Sequence, residues 1–241
     1  MPTALVTDPL EGIGTAFARL LGATGHDLVL AGGGERGLGR LAAELADRHD
    51  ITVEVMVGDL ADAGQRSLVE ERLRDEDRVP VDLLVNNAAG GVYGSFWTTP
   101  RDRVQTQFDL NPTTVLTLTC AALEGMVRRR RGAVINMAGV DTRASWGMTR
   151  CTVQDAFVLS LSANLAAALQ STPVHVMVLC LRVHPCLVAG EAVDDVVRQA
   201  LRDAAHRRFV SGRKSGLLTV LTGLLPRSLL NSAAARWLAV R

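Results

Sequence analysis

Cys151 and Asp155 stand four positions apart in "CTVQD", the spacing that puts two side chains on one face of a helix, one turn from each other. A cysteine near a helix N-terminus has its thiolate favoured, which suits a nucleophile. An ionised Asp155 would oppose that thiolate by like charge. Buried, the same carboxyl would be driven towards its neutral form and could serve as a general acid or base. Neither residue belongs to a diagnostic constellation, so inert packing of Cys151 and a solvated or salt-bridged Asp155 stay open beside the chemical readings. A second group is "VTDPLEGIG" (6–14), in which Gly12, Ile13 and Gly14 follow an apolar run and open a helical pattern. In that context glycines permit a tight turn and close approach of a phosphate to a helix N-terminus. His184 and Cys186 in "HPC" suggest metal only weakly, because two further ligands cannot be placed; no metal site is expected.

These residues need a frame. Short apolar runs alternate with helical patterns, which predicts a doubly wound α/β parallel sheet. "TALVT" (3–7), "DLVLA" (27–31), "ITVEVMV" (51–57), "VDLLVN" (81–86), "GAVINM" (132–137) and "VHVMVLC" (174–180) read as buried strands, and "RFV" (208–210) as a shorter seventh. Helices are expected near 12–24, 36–48, 62–76, 101–130, 152–170 and 191–205. No repeat or linker divides the chain, so residues 1–241 form one domain with an amphipathic helical extension over 212–241. That tail reads as a helix pair packed on the sheet edge or at a subunit interface. Contact with a membrane surface is the less favoured alternative, carried by Arg227, Arg236 and Arg241 among Leu and Trp. The "RRRR" run (128–131) reads as a solvated helix cap.

The bulk properties narrow the partners. A net charge of +1 over 241 residues forecasts no nucleic acid. The four cysteines have no CxxC or Cys/His ligand spacing, and no signal-like segment opens the sequence, so a cytoplasmic location with free thiols is expected.

The motifs resemble those of the short-chain dehydrogenase/reductase (SDR) family over roughly residues 3–212. Thr7, Gly12, Ile13 and Gly14 match its TGxxxGxG phosphate turn, "LLVNNAAGG" (83–91) its NNAG motif, and "FDLNPTTVLTLTCAALEGM" (108–126) its long interface helix. The resemblance implies a Rossmann-type sheet and a cofactor site at Gly12, Ile13, Gly14, Asp59 (on the adenine) and Asn87. It also implies a catalytic Asn at Asn111, where the family helix kinks; Pro112 puts a break in the right place, since it lacks an N–H and disfavours helical geometry at the residue before it.

The rest of the family's catalytic set does not match. Hydride transfer to or from a carbonyl needs a proton donor or acceptor on the oxygen, which the family supplies from a Tyr whose pKa is lowered by a Lys. The family Ser, Tyr and Lys positions hold Gly139, Cys151 and Asp155. Tyr93 is the only tyrosine and Lys214 the only lysine, and position 97 is Trp, so no YxxxK can be written anywhere in the chain. Asp8 replaces the first glycine of the phosphate turn and is followed by Pro9. An acid there adds a like-charge cost of roughly 1–4 kcal/mol beside a phosphate. Gly32, Gly33 and Gly34 leave the ribose selector blank unless Arg36 reaches back, and Leu181 and Arg182 replace the turn against the nicotinamide.

The expectation is therefore an SDR-fold protein without standard carbonyl reduction, with no cofactor required and at most weak or vestigial NAD(P) binding. A repurposed non-redox biosynthetic enzyme of cyclase, dehydratase or isomerase type comes first, with Asp155, Cys151 and Asn111 as candidate catalytic groups and Asp141, Arg143 and His184 lining the pocket around a small-molecule ligand. A silent partner subunit or ligand sensor comes second, and an atypical NAD(P)-dependent oxidoreductase third. A homo-oligomer through the helices at 101–130 and 152–170, or a hetero-oligomer with an intact SDR, is expected.

Overall fold

A computed structural model describes residues 1–10, 12–87, 98, 100–139, 149–181, 191–206 and 210–211. Seven parallel strands, β1 (Thr3–Thr7), β2 (Asp27–Gly32), β3 (Val53–Val57), β4 (Val81–Asn86), β5 (Ala133–Gly139), β6 (His175–Leu181) and β7 (Val210–Ser211), form one sheet in the order β3-β2-β1-β4-β5-β6-β7. The helices that cross between them are α1 (Gly12–Ala23), α2 (Glu35–His49), α3 (Ala63–Arg74), α4 (Arg101–Phe108), α5 (Thr114–Arg129), α6 (Thr149–Ala168) and α7 (Glu191–Ala205). One apolar cluster joins Phe17 and Leu21 of α1, Leu38 and Leu45 of α2 and Val197 of α7 to one face of the sheet. A second joins Val69 of α3 and Leu118 and Met126 of α5 to the other. Helices on both faces bury continuous apolar strands, which is why the central ones read as unbroken hydrophobic runs.

Two expectations need correction. The third strand is not buried: Val53 to Met56 are half-buried and Val57 is 50% exposed, because β3 is the sheet edge and pairs only with β2. The helix expected over 101–130 is not one helix. A π-helical turn, Asp109–Thr113, separates α4 from α5. Pro112 lies inside that turn; its missing N–H and its ring forbid a regular α-turn, and the backbone widens instead. The arginine run serves as a paired cap: Arg128 meets Glu76, Arg131 meets Asp82 at 2.9 Å, and Arg129 donates to the Val81 carbonyl at 3.1 Å. Residues 212–241 lie outside the described part of the chain, as does most of the "RFV" segment.

Strand order reverses between β1 and β4, and open α/β sheets bind ligands at the carboxyl ends of the strands flanking such a point. The side chains there are locked by a polar tie. The Thr7 hydroxyl donates to the Val85 carbonyl at 3.4 Å and accepts the Asn87 N–H at 2.8 Å.

Candidate functional site

The crevice has two halves. The first is the turn after β1. Gly12 takes φ +54, a conformation glycine adopts without strain. A Cβ on Gly14 would lie 2.4 Å from Asn87 Nδ2 and 2.6 Å from the Asp8 carbonyl oxygen, so only glycine fits there. Asn87, itself buried, donates to that carbonyl at 2.9 Å. Ile13 is 1% exposed in the core, which leaves only its backbone for a ligand. Asp59 is exposed, and one of its carboxylate oxygens accepts the Ala61 N–H at 2.9 Å.

Asp8 is a non-glycine residue at φ +45. Burial, and then the neighbouring Asp59 carboxylate, pushes its carboxyl up to about 6. Its Oδ1 lies 2.7 Å from the point a Cβ on Gly32 would occupy. Leu10 of the same turn leans on the next glycines, with its Cδ1 at 2.9 Å from the corresponding point on Gly34 and 2.8 Å from that on Gly37. The glycine run after β2 is thus the space into which Asp8 and Leu10 of the first turn pack. The sequence presents that run as a lost selector; its complementarity to the first turn needs the fold. Arg36 is exposed on the first turn of α2, and among the described residues it forms no ion pair with Asp8.

The second half lies at the ends of β5 and β6. Gly139 closes β5 and pairs in register with Leu181, and Ala138 pairs with Cys180. Ala138, Cys180, Val178, Val115 and Val158 form an apolar cluster with α6 against it. Asp155 is half-buried on α6. The Cys180 thiol is pushed up to about 12, by burial first and by the Asp155 carboxylate second, so it stays protonated and inert. Asp155 therefore lies near Cys180, a proximity that the packing of α6 on β6 creates. Asn111 is buried in the π-helical turn, which packs on α6. Its Oδ1 takes no hydrogen bond among the described residues.

Asn111 and Asp155 are thus carried by elements in contact. Cys151 lies in the first turn of α6 as expected of a residue near a helix N-terminus, but its side chain is outside the described residues. Asp141, Arg143 and His184 also fall outside them. Sequence reasoning missed Cys180 and Leu10. No signal marked either: one looks like a strand residue and the other like a loop residue, and each gains its place from a neighbour distant in the chain. Among the described residues no group of three His, Cys, Asp or Glu could hold a metal.

The nicotinamide dinucleotide that the fold implies meets a divided site. The bare Gly14 and the α1 N-terminus fit a pyrophosphate, whereas the Asp8 carboxylate beside Gly32, with Asp59 near it and no cation paired to it among the described residues, does not fit a phosphate on the ribose.

The family model for short chain dehydrogenases matches residues 2–194. NADP-dependent 3-hydroxy acid dehydrogenase YdfG of Escherichia coli (strain K12) is 31% identical over 80% of this chain and 75% of its own length. Inactive hydroxysteroid dehydrogenase-like protein 1 of Homo sapiens is 27% identical over 56% of this chain and 41% of its own. Among solved structures, a short-chain dehydrogenase from Sphingobium yanoikuyae in complex with NADPH is 26% identical, with a TM-score of 0.80 over 100% of this chain and 95% of that one. With the doubly wound sheet, the glycine turn and the Asn111 break all in place, the chain belongs to the short-chain dehydrogenase family.

Proposed function

We propose that this protein is a non-redox small-molecule enzyme, of cyclase, dehydratase or isomerase type, that works in the crevice where its family reduces carbonyls. The observation that carries the reading is the half-buried Asp155 on α6, near enough to Cys180 of the apolar cluster for its charge to act on that thiol. A carboxyl there can move a proton to or from an apolar substrate at its Oδ atoms, the requirement common to dehydration, isomerisation and aldol-type cyclisation. Asn111 Oδ1 is buried and has no hydrogen-bond partner among the described residues, and this reading assigns it a substrate hydroxyl. Cys151, one turn before Asp155 in the sequence, and Asp141, Arg143 and His184 are the further groups this reading assigns to the site. A bound nucleotide supplies no hydride: the chain has a single tyrosine and a single lysine, far from any YxxxK spacing.

The test is turnover of 3-hydroxyacyl and poly-β-keto thioesters without added nucleotide, followed by mass spectrometry. Loss of water or ring closure is expected, falling roughly 100-fold or more in Asp155→Asn. Full activity in both Asp155→Asn and Cys151→Ala, or turnover that consumes NADH or NADPH, sinks the reading. A second reading, a silent partner or sensor, is favoured by the relative whose name describes it as inactive. It predicts co-purification with an intact SDR from native extract. The relatives named as dehydrogenases favour a third, an atypical NAD(P)-dependent oxidoreductase, which the same NADH and NADPH assay decides.

A further inference from the structure

We propose that Asp8 is the ribose-reading residue of this cleft, so that the site takes a nucleotide with a free ribose diol and rejects its 2′-phosphorylated counterpart. In dinucleotide-binding sheets the ribose is read at the end of the second strand, about 20 residues beyond the glycine turn, by an acid for a free hydroxyl or an Arg for a 2′-phosphate. Gly32 occupies that place and has no side chain. The Asp8 Oδ1, 2.7 Å from where a Cβ on Gly32 would sit, fills the vacancy from the neighbouring strand. A side chain at position 32 would crowd Asp8, whose Oδ1, Cα and N lie 2.7, 3.2 and 3.3 Å from its Cβ point, so the glycine leaves the acid its place.

The surroundings suit a diol. An ionised carboxylate only accepts hydrogen bonds, and a ribose diol offers two donors. No described residue donates to the Asp8 carboxylate, which is half-buried and still reachable. Gly33 beside it has nothing within 4 Å of its Cβ point, which leaves room for a sugar ring. The remaining wall is the Leu10 isobutyl group over Gly34 and Gly37. A 2′-phosphate would meet Asp8, Asp59 and Leu10, with no arginine paired to either acid among the described residues. This departs from the solved relative that holds NADPH. It holds whether or not the nucleotide takes part in a reaction.

Calorimetric titration of the full chain with NADH and NADPH, and with adenosine and adenosine 2′-monophosphate, tests it. NADH is expected to bind at least about tenfold more tightly than NADPH, and adenosine more tightly than its 2′-phosphate. In Asp8→Asn and Asp8→Gly the preference should shrink to within about threefold; both replacements tolerate the positive φ at this position, so both should fold. Equal binding of NADH and NADPH overturns the proposal, as does no binding of NADH or adenosine at millimolar concentration, or an unchanged preference in both variants. Affinity is read from isotherms and nucleotide consumption from absorbance, so failure of the non-redox reading and failure of this one are distinguishable.

Discussion

Asp8 combines a positive φ, partial burial and a neighbouring acid, and each of these acts against its charged form or its ordinary backbone. With a folded value of about 6 against an ordinary 3.8, the native state holds the proton more tightly than the unfolded chain. The native state therefore gains stability that is fully present below about pH 4 and is lost as pH rises through about 6. The difference is worth roughly 3 kcal/mol at most. Urea unfolding at pH 4.5 and pH 7.5 should show the wild type losing stability that Asp8→Asn does not lose, other groups cancelling in the comparison. Parallel behaviour of the two proteins would mean that Asp8 is not desolvated.

At the scale of elements, one buried network holds the site's floor together. Asn86 Nδ2 donates to Thr119 Oγ1 at 3.1 Å and to Asn136 Oδ1 at 2.8 Å, and Asn136 Nδ2 donates to Ser162 Oγ at 2.9 Å. The chain of bonds links β4, β5, α5 and α6, of which α6 carries Asp155 and α5 continues the π-helical turn that carries Asn111. Asn86 Oδ1 is already buried without a partner among the described residues. Asn136→Ala would strip a donor and an acceptor from this network, and a loss of about 2–3 kcal/mol in unfolding free energy is expected from thermal or urea denaturation. The first asparagine of "NN" is thus explained by sheet-to-helix bonding and the second by its hold on the Asp8 carbonyl. Sequence placed both in one motif, but their different duties depend on which face each strand residue turns to.

For the whole molecule, the expectation of self-association rests on α5 and α6. Leu116 and Val127 are exposed on α5 at 36% and 41%, on the side turned away from the sheet. We propose that this face pairs with a second copy. Sedimentation should give at least twice the chain mass of 25.7 kDa, and Leu116→Arg with Val127→Arg should return the monomer without unfolding it. A monomeric wild type would count against the pairing. Among the described helices none is long and apolar enough to cross a membrane.

Alternation of apolar strands with helical patterns, local in the chain, determined the sheet, its helices and the place of the glycine turn. Residue identity alone showed that no YxxxK spacing can be written in this chain, whose one tyrosine, Tyr93, and one lysine, Lys214, stand far apart in the sequence. The break at Pro112 was legible too, since ring and absent N–H act on their own turn; that the backbone answers with a π-helical turn was not. Only tertiary structure decided that Asp8 packs at Gly32 and Leu10 over Gly34 and Gly37, and that Asp155 comes near Cys180. Those contacts join residues from different strands, turns and helices. They depend on register and on the direction each side chain takes, which no local pattern encodes.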